Sequence, residues 1–227
     1  MRTLEVDGLF NVRASRDRTP WLVRSGATEA LTDAGAAVLS TLGVSLILDL
    51  REPSERGPAR HGIPVRSIPV YGTEPPAVGG LEEIYENLLR RRAEALARAV
   101  GVVADADGAV LVHCTAGKDR TGLVVALARS AAGESAEAIV ADYVLSAAEV
   151  RPVRQAHADR IVRALSDADR AATLRLHLES PAEAIGHALA VIDALGGADR
   201  YLREHGLSED QLRALRRKND RASGDAA

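Results

Sequence analysis

The stretch from Ala109 to Ala128 constrains the fold more than any other. It opens with Ala109-Val110-Leu111-Val112-His113, apolar without alternation and of strand length, which reads as a strand covered on both faces. It closes with Gly122-Leu123-Val124-Val125-Ala126-Leu127-Ala128, an apolar run that reads as buried helix stopping near Gly133. A buried strand that enters a buried helix through a short turn belongs to a sheet with helices packed on its faces. The expected fold class is therefore α/β: a central, mostly parallel sheet flanked by helices.

The flanking segments fit that frame. Residues 3–25 mix short apolar pieces with polar turns, as short strands and loops do. Thr32 is placed to cap a helix over about 33–42 that ends at Gly43, and Val44 to Leu50 reads as a second buried strand with Asp49 and Arg51 at its C-terminal end. A third strand, Val65 to Val70, follows the loop 52–58, and the Pro- and Gly-rich residues 72–80 form a flexible connection. From Leu81 to Val103 apolar residues recur at helical spacing, giving one amphipathic helix that carries Arg90, Arg91 and Arg92. Beyond Gly133 the pattern is helical throughout: about 135–149, an Arg- and Ala-rich stretch over 151–179, a helix opened by Ser180-Pro181, and a last one capped by Ser208 with Gln211 at the capping-box position. The C-terminal third is thus expected to be helical.

A chain of 227 residues can bury one substantial core, and a single domain over 1–219 is expected, with 143–180 as a helical lid and 220–227 as a disordered tail. Aromatic residues are only 3%, so aliphatic side chains must fill the core. The net charge of -3 offers no general attraction for nucleic acid, and any anion site has to be built locally from a few residues. One cysteine leaves no internal disulfide and no Cys-rich metal site, but a free thiol that suits a reducing compartment. No segment reaches the roughly 18 apolar residues of a membrane span, and the N-terminus lacks a signal-like apolar run, so a cytoplasmic location without stable membrane insertion is expected.

The chemistry concentrates in the turn between the strand and the helix. Thr115, Ala116, Gly117, Lys118 and Asp119 separate Cys114 from Arg120, and Gly117 lets the backbone curl so that successive N–H groups converge on one point. The helix behind the turn aims its N-terminal dipole into the same space, and Arg120 adds a two-pronged donor. Such a cradle takes a tetrahedral oxyanion. It also favours the thiolate of Cys114, the form that attacks phosphorus. The leaving oxygen needs a proton, for which Asp119 is the nearest carboxyl, and Thr121 is placed to hydrogen-bond the Cys114 sulfur. His113, Asp49 and Arg51 support the loop from behind. No metal or organic cofactor enters this scheme.

Cys, five residues, then Arg followed by Thr resembles the loop shared by the protein tyrosine phosphatase superfamily. Gly117-Lys118-Asp119-Arg120-Thr121-Gly122, with Ile47-Leu48-Asp49-Leu50-Arg51, Glu55 and Arg24-Ser25-Gly26 upstream, is similar to its bacterial tyrosine and phosphoinositide phosphatase branch. The resemblance covers about residues 9–146, with weaker echoes near Tyr201-Leu202, and Asn11-Val12-Arg13-Ala14-Ser15 departs from the branch's usual start. It implies the cysteine-phosphatase fold, a phosphocysteine intermediate on Cys114, Arg120 binding the phosphate with the loop 115–118, and Asp119 as general acid, with Glu74 in reserve. It further implies that Lys118 adds charge for multiply phosphorylated substrates, so phosphorylated protein and phosphoinositide both stand as partners.

Two other functions compete. Asp49-Leu50-Arg51-Glu52-Pro53-Ser54-Glu55 also resembles rhodanese-type sulfurtransferases, and a phosphate-binding module without catalysis would use the same cradle. The first predicts a reactive cysteine closer to Asp49 and no Lys-Asp-Arg-Thr-Gly ending. The second would ordinarily have lost the nucleophile or the arginine.

Overall fold

The computed structural model describes residues 1–15, 18–58 and 61–224. Among the described residues six strands form one sheet: β1 (Arg2–Thr3), β2 (Arg13–Ala14), β3 (Leu22–Ser25), β4 (Val44–Asp49), β5 (Val65–Ser67) and β6 (Ala109–His113), in the order β1-β2-β3-β6-β4-β5. Strands β3, β6, β4 and β5 run parallel, as the sequence predicts, and β1 and β2 extend the β3 edge as an antiparallel ribbon. β6 lies in the middle, between β3 and β4, which is why all five of its residues are buried.

Alternation along the strands divides the core into two layers. Leu22, Leu48, Val110 and Val112 face one layer, shared with most of the helices. Val23, Ile47, Ala109 and Leu111 face the other, covered by Leu39 of helix α1 (Asp33–Thr41) and by Val6, Val12 and Leu31. Thr32 caps α1 as expected, its hydroxyl accepting from Gly35 N at 3.1 Å.

The expected helix over 81–103 is two helices, α2 (Leu81–Arg91) and α3 (Ala93–Asp105). The break falls at Arg92, whose Nε donates to Val70 O at 2.9 Å and ties the junction to the chain beyond β5. Neither glycine nor proline marks the spot, so helical periodicity alone runs straight through it. β5 is also shorter than expected, ending at Ser67, because Ile68 and Val70 bond back to Asp49 and Leu50 as the chain turns off the sheet.

Helix α4 (Asp119–Ala131) leaves the C-terminal end of β6 and is buried along nearly its whole length. After it come α5 (Ala136–Val144), α6 (Ser146–Val162), α7 (Asp167–Leu178), α8 (Ala182–Ala194), α9 (Gly197–Glu204) and α10 (Glu209–Gly224). The capping box at the start of α10 is present in both directions, with Gln211 N donating to Ser208 Oγ and Ser208 N donating to Gln211 Oε1. α10 continues to Gly224, past the residue where a tail was expected to begin, and 225–227 of that tail lie outside the described residues. Among the described residues no helix is long and apolar enough to cross a membrane.

Candidate active site

The turn from β6 into α4 stands at the C-terminal ends of the parallel strands, where open α/β sheets place their ligands. Gly117 sits at φ +68°, and a Cβ there would lie 2.2 Å from Ser25 O, so glycine is required both by conformation and by the close passage of the chain after β3. The loop carbonyls are turned back into the protein and held there. Asn11 Nδ2 donates to Ala116 O (3.0 Å) and Gly117 O (3.1 Å), Arg24 Nη2 donates to Gly117 O (2.7 Å), and Ala27 N donates to Thr115 O (3.1 Å). With the carbonyls facing inward, the N–H groups of the following peptides face the pocket.

That backing is itself a buried charge network. Arg13 and Arg24 each place a guanidinium nitrogen 2.6 Å from Asp142, and Arg129 approaches to 3.8 Å. Arg13 also donates to Asn11 Oδ1 at 2.6 Å, which fixes Asn11 in its left-handed conformation (φ +57°) with Nδ2 under the loop. Burial by itself raises the Asp142 carboxyl, but Arg24, Arg13 and Arg129 outweigh it and hold the group at about 2. None of Asn11, Arg13, Arg24, Arg129 and Asp142 stood among the expected site residues. Arg24 entered the sequence reading only within Arg24-Ser25-Gly26, and Asn11 and Arg13 only within the segment that departs from the branch's usual start.

On the open side, Cys114 is 2% exposed at the floor of a cavity of about 80 Å³. Glu55, Tyr71, Pro75, Pro76, Thr115, Ala116, Asp119 and Arg120 line it, together with Arg154, Leu176 and His177 from α6 and α7. Arg120 is clamped by Glu55 through two bonds of 2.5 and 2.7 Å, and Tyr71 lies under its guanidinium at 4.8 Å. Burial works to raise Glu55, yet Arg120 and Thr115 hold it at about 2, and Glu55 in turn stabilises the charge on Arg120 against burial. Asp119 accepts from Tyr85 Oη at 2.7 Å, and Tyr143 Oη lies 2.6 Å from Tyr85 Oη, so the acid is oriented from two helices.

Several expected residues stand elsewhere. Lys118 is fully buried, and its ammonium donates to Leu176 O (2.6 Å) and Glu179 O (2.7 Å), with Asp119 at 3.3 Å. It fastens the loop to the end of α7 and is not part of the cavity lining, because the carbonyls left open at the C-terminus of a helix attract a cation. Thr121 Oγ1 is buried and has no hydrogen-bond partner among the described residues, the Cys114 sulfur included. Glu74 accepts from Ser54 Oγ at the surface and does not line the cavity. Asp49 and Arg51 pair behind the loop (2.9 Å), and His113 Nε2 is 3.8 Å from Asp49. Burial lowers His113 to about 4 against the pull of Asp49, so the ring is neutral near pH 7. A larger cavity, of about 580 Å³, lies around Trp21 and Gly108, away from Cys114.

A buried thiol at the floor of a cavity, with an arginine on one side and a carboxyl on the other, is the arrangement expected of a cysteine-dependent phosphatase. Comparison with known proteins agrees: the model of the tyrosine phosphatase family matches residues 5–219, and the chain belongs to that family. It is 31% identical to a tyrosine-protein phosphatase of Nostoc commune, over 86% of this chain and 72% of that one. It is 30% identical to the triple specificity protein phosphatase PtpB of Mycobacterium tuberculosis, over 95% and 98% of the two chains. Among solved structures, the catalytic core of Siw14 aligns over 96% of each chain with 18% identity and a TM-score of 0.44. The sulfurtransferase alternative finds no support. The segment that suggested it brings Glu55 to Arg120 and Asp49 to Arg51.

Proposed function

We propose that this chain hydrolyses phosphotyrosine, and phosphoinositides as a second substrate class, through a phosphocysteine on Cys114. The observation that carries the reading is the single small cavity shared by Cys114, Asp119 and Arg120 above a loop whose carbonyls are tied back. In the first step the Cys114 thiolate attacks phosphorus in line, the bond to the leaving oxygen breaks, and Asp119 gives that oxygen its proton. Arg120 and the loop N–H groups bind the equatorial oxygens throughout. In the second step the Asp119 carboxylate takes a proton from water, the oxygen attacks phosphorus, and inorganic phosphate leaves as the thiolate returns. Both steps use side chains and water alone.

The reading extends to the appendage. Residues 1–219 act as one catalytic domain, with α6 and α7 as its cover, supported by the reach of Leu176 and His177 into the cavity and by the Lys118 clamp. The test is turnover of p-nitrophenyl phosphate in excess chelator by the wild type and by Cys114→Ser, followed by phosphotyrosine peptides and phosphoinositides. Turnover that vanishes with Cys114→Ser is expected. A wild type inert towards every phosphomonoester sinks the proposal.

A further inference from the structure

One cation at the cavity is left over. Arg120 is matched by Glu55, and Lys118 by Asp119 and two carbonyls. Arg154, half-buried on α6, lines the cavity and has no hydrogen-bond or ion-pair partner among the described residues. Burial lowers its hold on the proton, offset in part by the more distant Cys114, Glu55 and Asp119, whereas Arg160 on its own helix works the same way as burial. A guanidinium partly withdrawn from water at the edge of a cavity and without a protein partner is free to meet a ligand that brings the opposite charge.

The scissile phosphate is not the obvious owner of that charge. Its oxygens already face the loop N–H groups and Arg120, all supplied by the β6–α4 turn. Arg154 arrives on a different element, beside His177 and with Pro75 and Pro76 in the same lining, which places it against whatever the phosphate is attached to. We propose that Arg154 reads a second anionic group, a carboxylate or a further phosphate held close to the scissile one, and so makes the site selective for multiply charged phosphomonoesters. The inference rests on the phosphatase reading above and adds a specificity residue to it.

Three esters with a common aryl frame separate the effects: 3-carbamoylphenyl phosphate, 3-carboxyphenyl phosphate and 1,3-phenylene bisphosphate. The first carries no second charge, and the other two distinguish a carboxylate from a phosphate as the group that is read. Arg154→Ala should lower kcat/KM on the doubly charged esters by roughly tenfold to a hundredfold, the scale of a charge-assisted hydrogen bond, and by less than about threefold on the carbamoyl ester. Arg154→Lys should recover part of the loss. Equal losses on all three esters, or none on any, overturn the proposal. Dissociation constants for the same esters on Cys114→Ser, with and without Arg154→Ala, apply the test independently of turnover: an inert wild type sinks the phosphatase reading, while the binding difference still decides the role of Arg154.

Discussion

The network under the loop makes a quantitative prediction through Asp142→Asn. The side chain is 1% exposed and receives Arg13 and Arg24 at 2.6 Å, with Arg129 behind them. The amide keeps the shape and removes the charge, leaving buried guanidinium groups without their common counter-ion. Breaking a buried pair in this way costs about 3–5 kcal/mol. In a chain of this size each kcal/mol shifts Tm by roughly 2–4 °C, so at pH 7 the variant should melt roughly 6–20 °C below the wild type. The pH dependence has a fixed sign. The Asp142 carboxyl is held at about 2 in the folded protein against an ordinary 3.8, so its stabilisation is complete above pH ~4 and disappears as the pH falls from there towards 2. The gap between the two melting curves should therefore be constant from pH 5 to 8 and close at lower pH. Activity should fall too, because Arg24 carries Gly117 O and a loop misplaced by about 1 Å costs on the order of a hundredfold in rate. Thermal melts from pH 3 to 8 and kcat/KM on p-nitrophenyl phosphate supply the readouts. Equal melting at pH 7, or a gap that persists unchanged at pH 3, would refute the assignment of Asp142 as the charged anchor.

Glu55→Gln removes the charge that orients Arg120, and kcat/KM should drop roughly tenfold to a hundredfold with little change in Tm; unaltered kinetics would show that Arg120 needs no clamp. Gly117→Ala drives a methyl into Ser25 O from a left-handed backbone position, so both activity and several degrees of Tm should be lost, and a fully active variant contradicts the loop geometry. Lys118→Met releases the end of α7, and limited proteolysis should then cut faster in the 163–166 connection, whereas identical cleavage rates would separate the clamp from the stability of α6 and α7. Because Cys114 has no second cysteine to trap its sulfenic acid, peroxide should inactivate the protein without forming an intramolecular disulfide, read by activity before and after thiol treatment.

The loop was legible because its requirements are local. Cys114, Gly117 and Arg120 fall within one turn, and the apolar runs on either side fix where that turn begins and ends. The backing was not, because its partners are remote: Asn11 meets Gly117 across 106 positions, and Arg13 meets Asp142 across 129. Nothing near Asp142 marks it, since one acid in an alanine-rich helix reads as a solvated face. Lys118 shows the opposite failure. Its position in the loop suggests phosphate binding, yet its direction is set by Leu176 and Glu179, far along the chain, and no local pattern carries that information. The division of 81–103 at Arg92 is invisible for the same reason, being imposed by Val70 O.

A net charge of -3 conceals how the anion site is made, and the distribution of the buried groups explains it. In front of the loop Arg120 is paired with Glu55 and Lys118 with Asp119, and Arg154 stands unpaired among the described residues. Behind it Arg13 and Arg24 share the buried carboxylate of Asp142, while Arg129 pairs with the partly exposed Glu134. Arg24, buried and only partly neutralised by that shared carboxylate, donates directly to Gly117 O, so its charge acts on the loop with little screening, and the dipole of α4 adds to it. The paired residues in front can then rearrange around a phosphate without the site losing its positive potential. Removing a front pair should therefore alter the geometry of binding more than its strength, and weakening the rear network should do the reverse. Vanadate affinity measured against ionic strength for Glu55→Gln and Arg129→Met separates the two: a steeper loss of affinity in the rear variant supports the layered arrangement, and equal losses refute it.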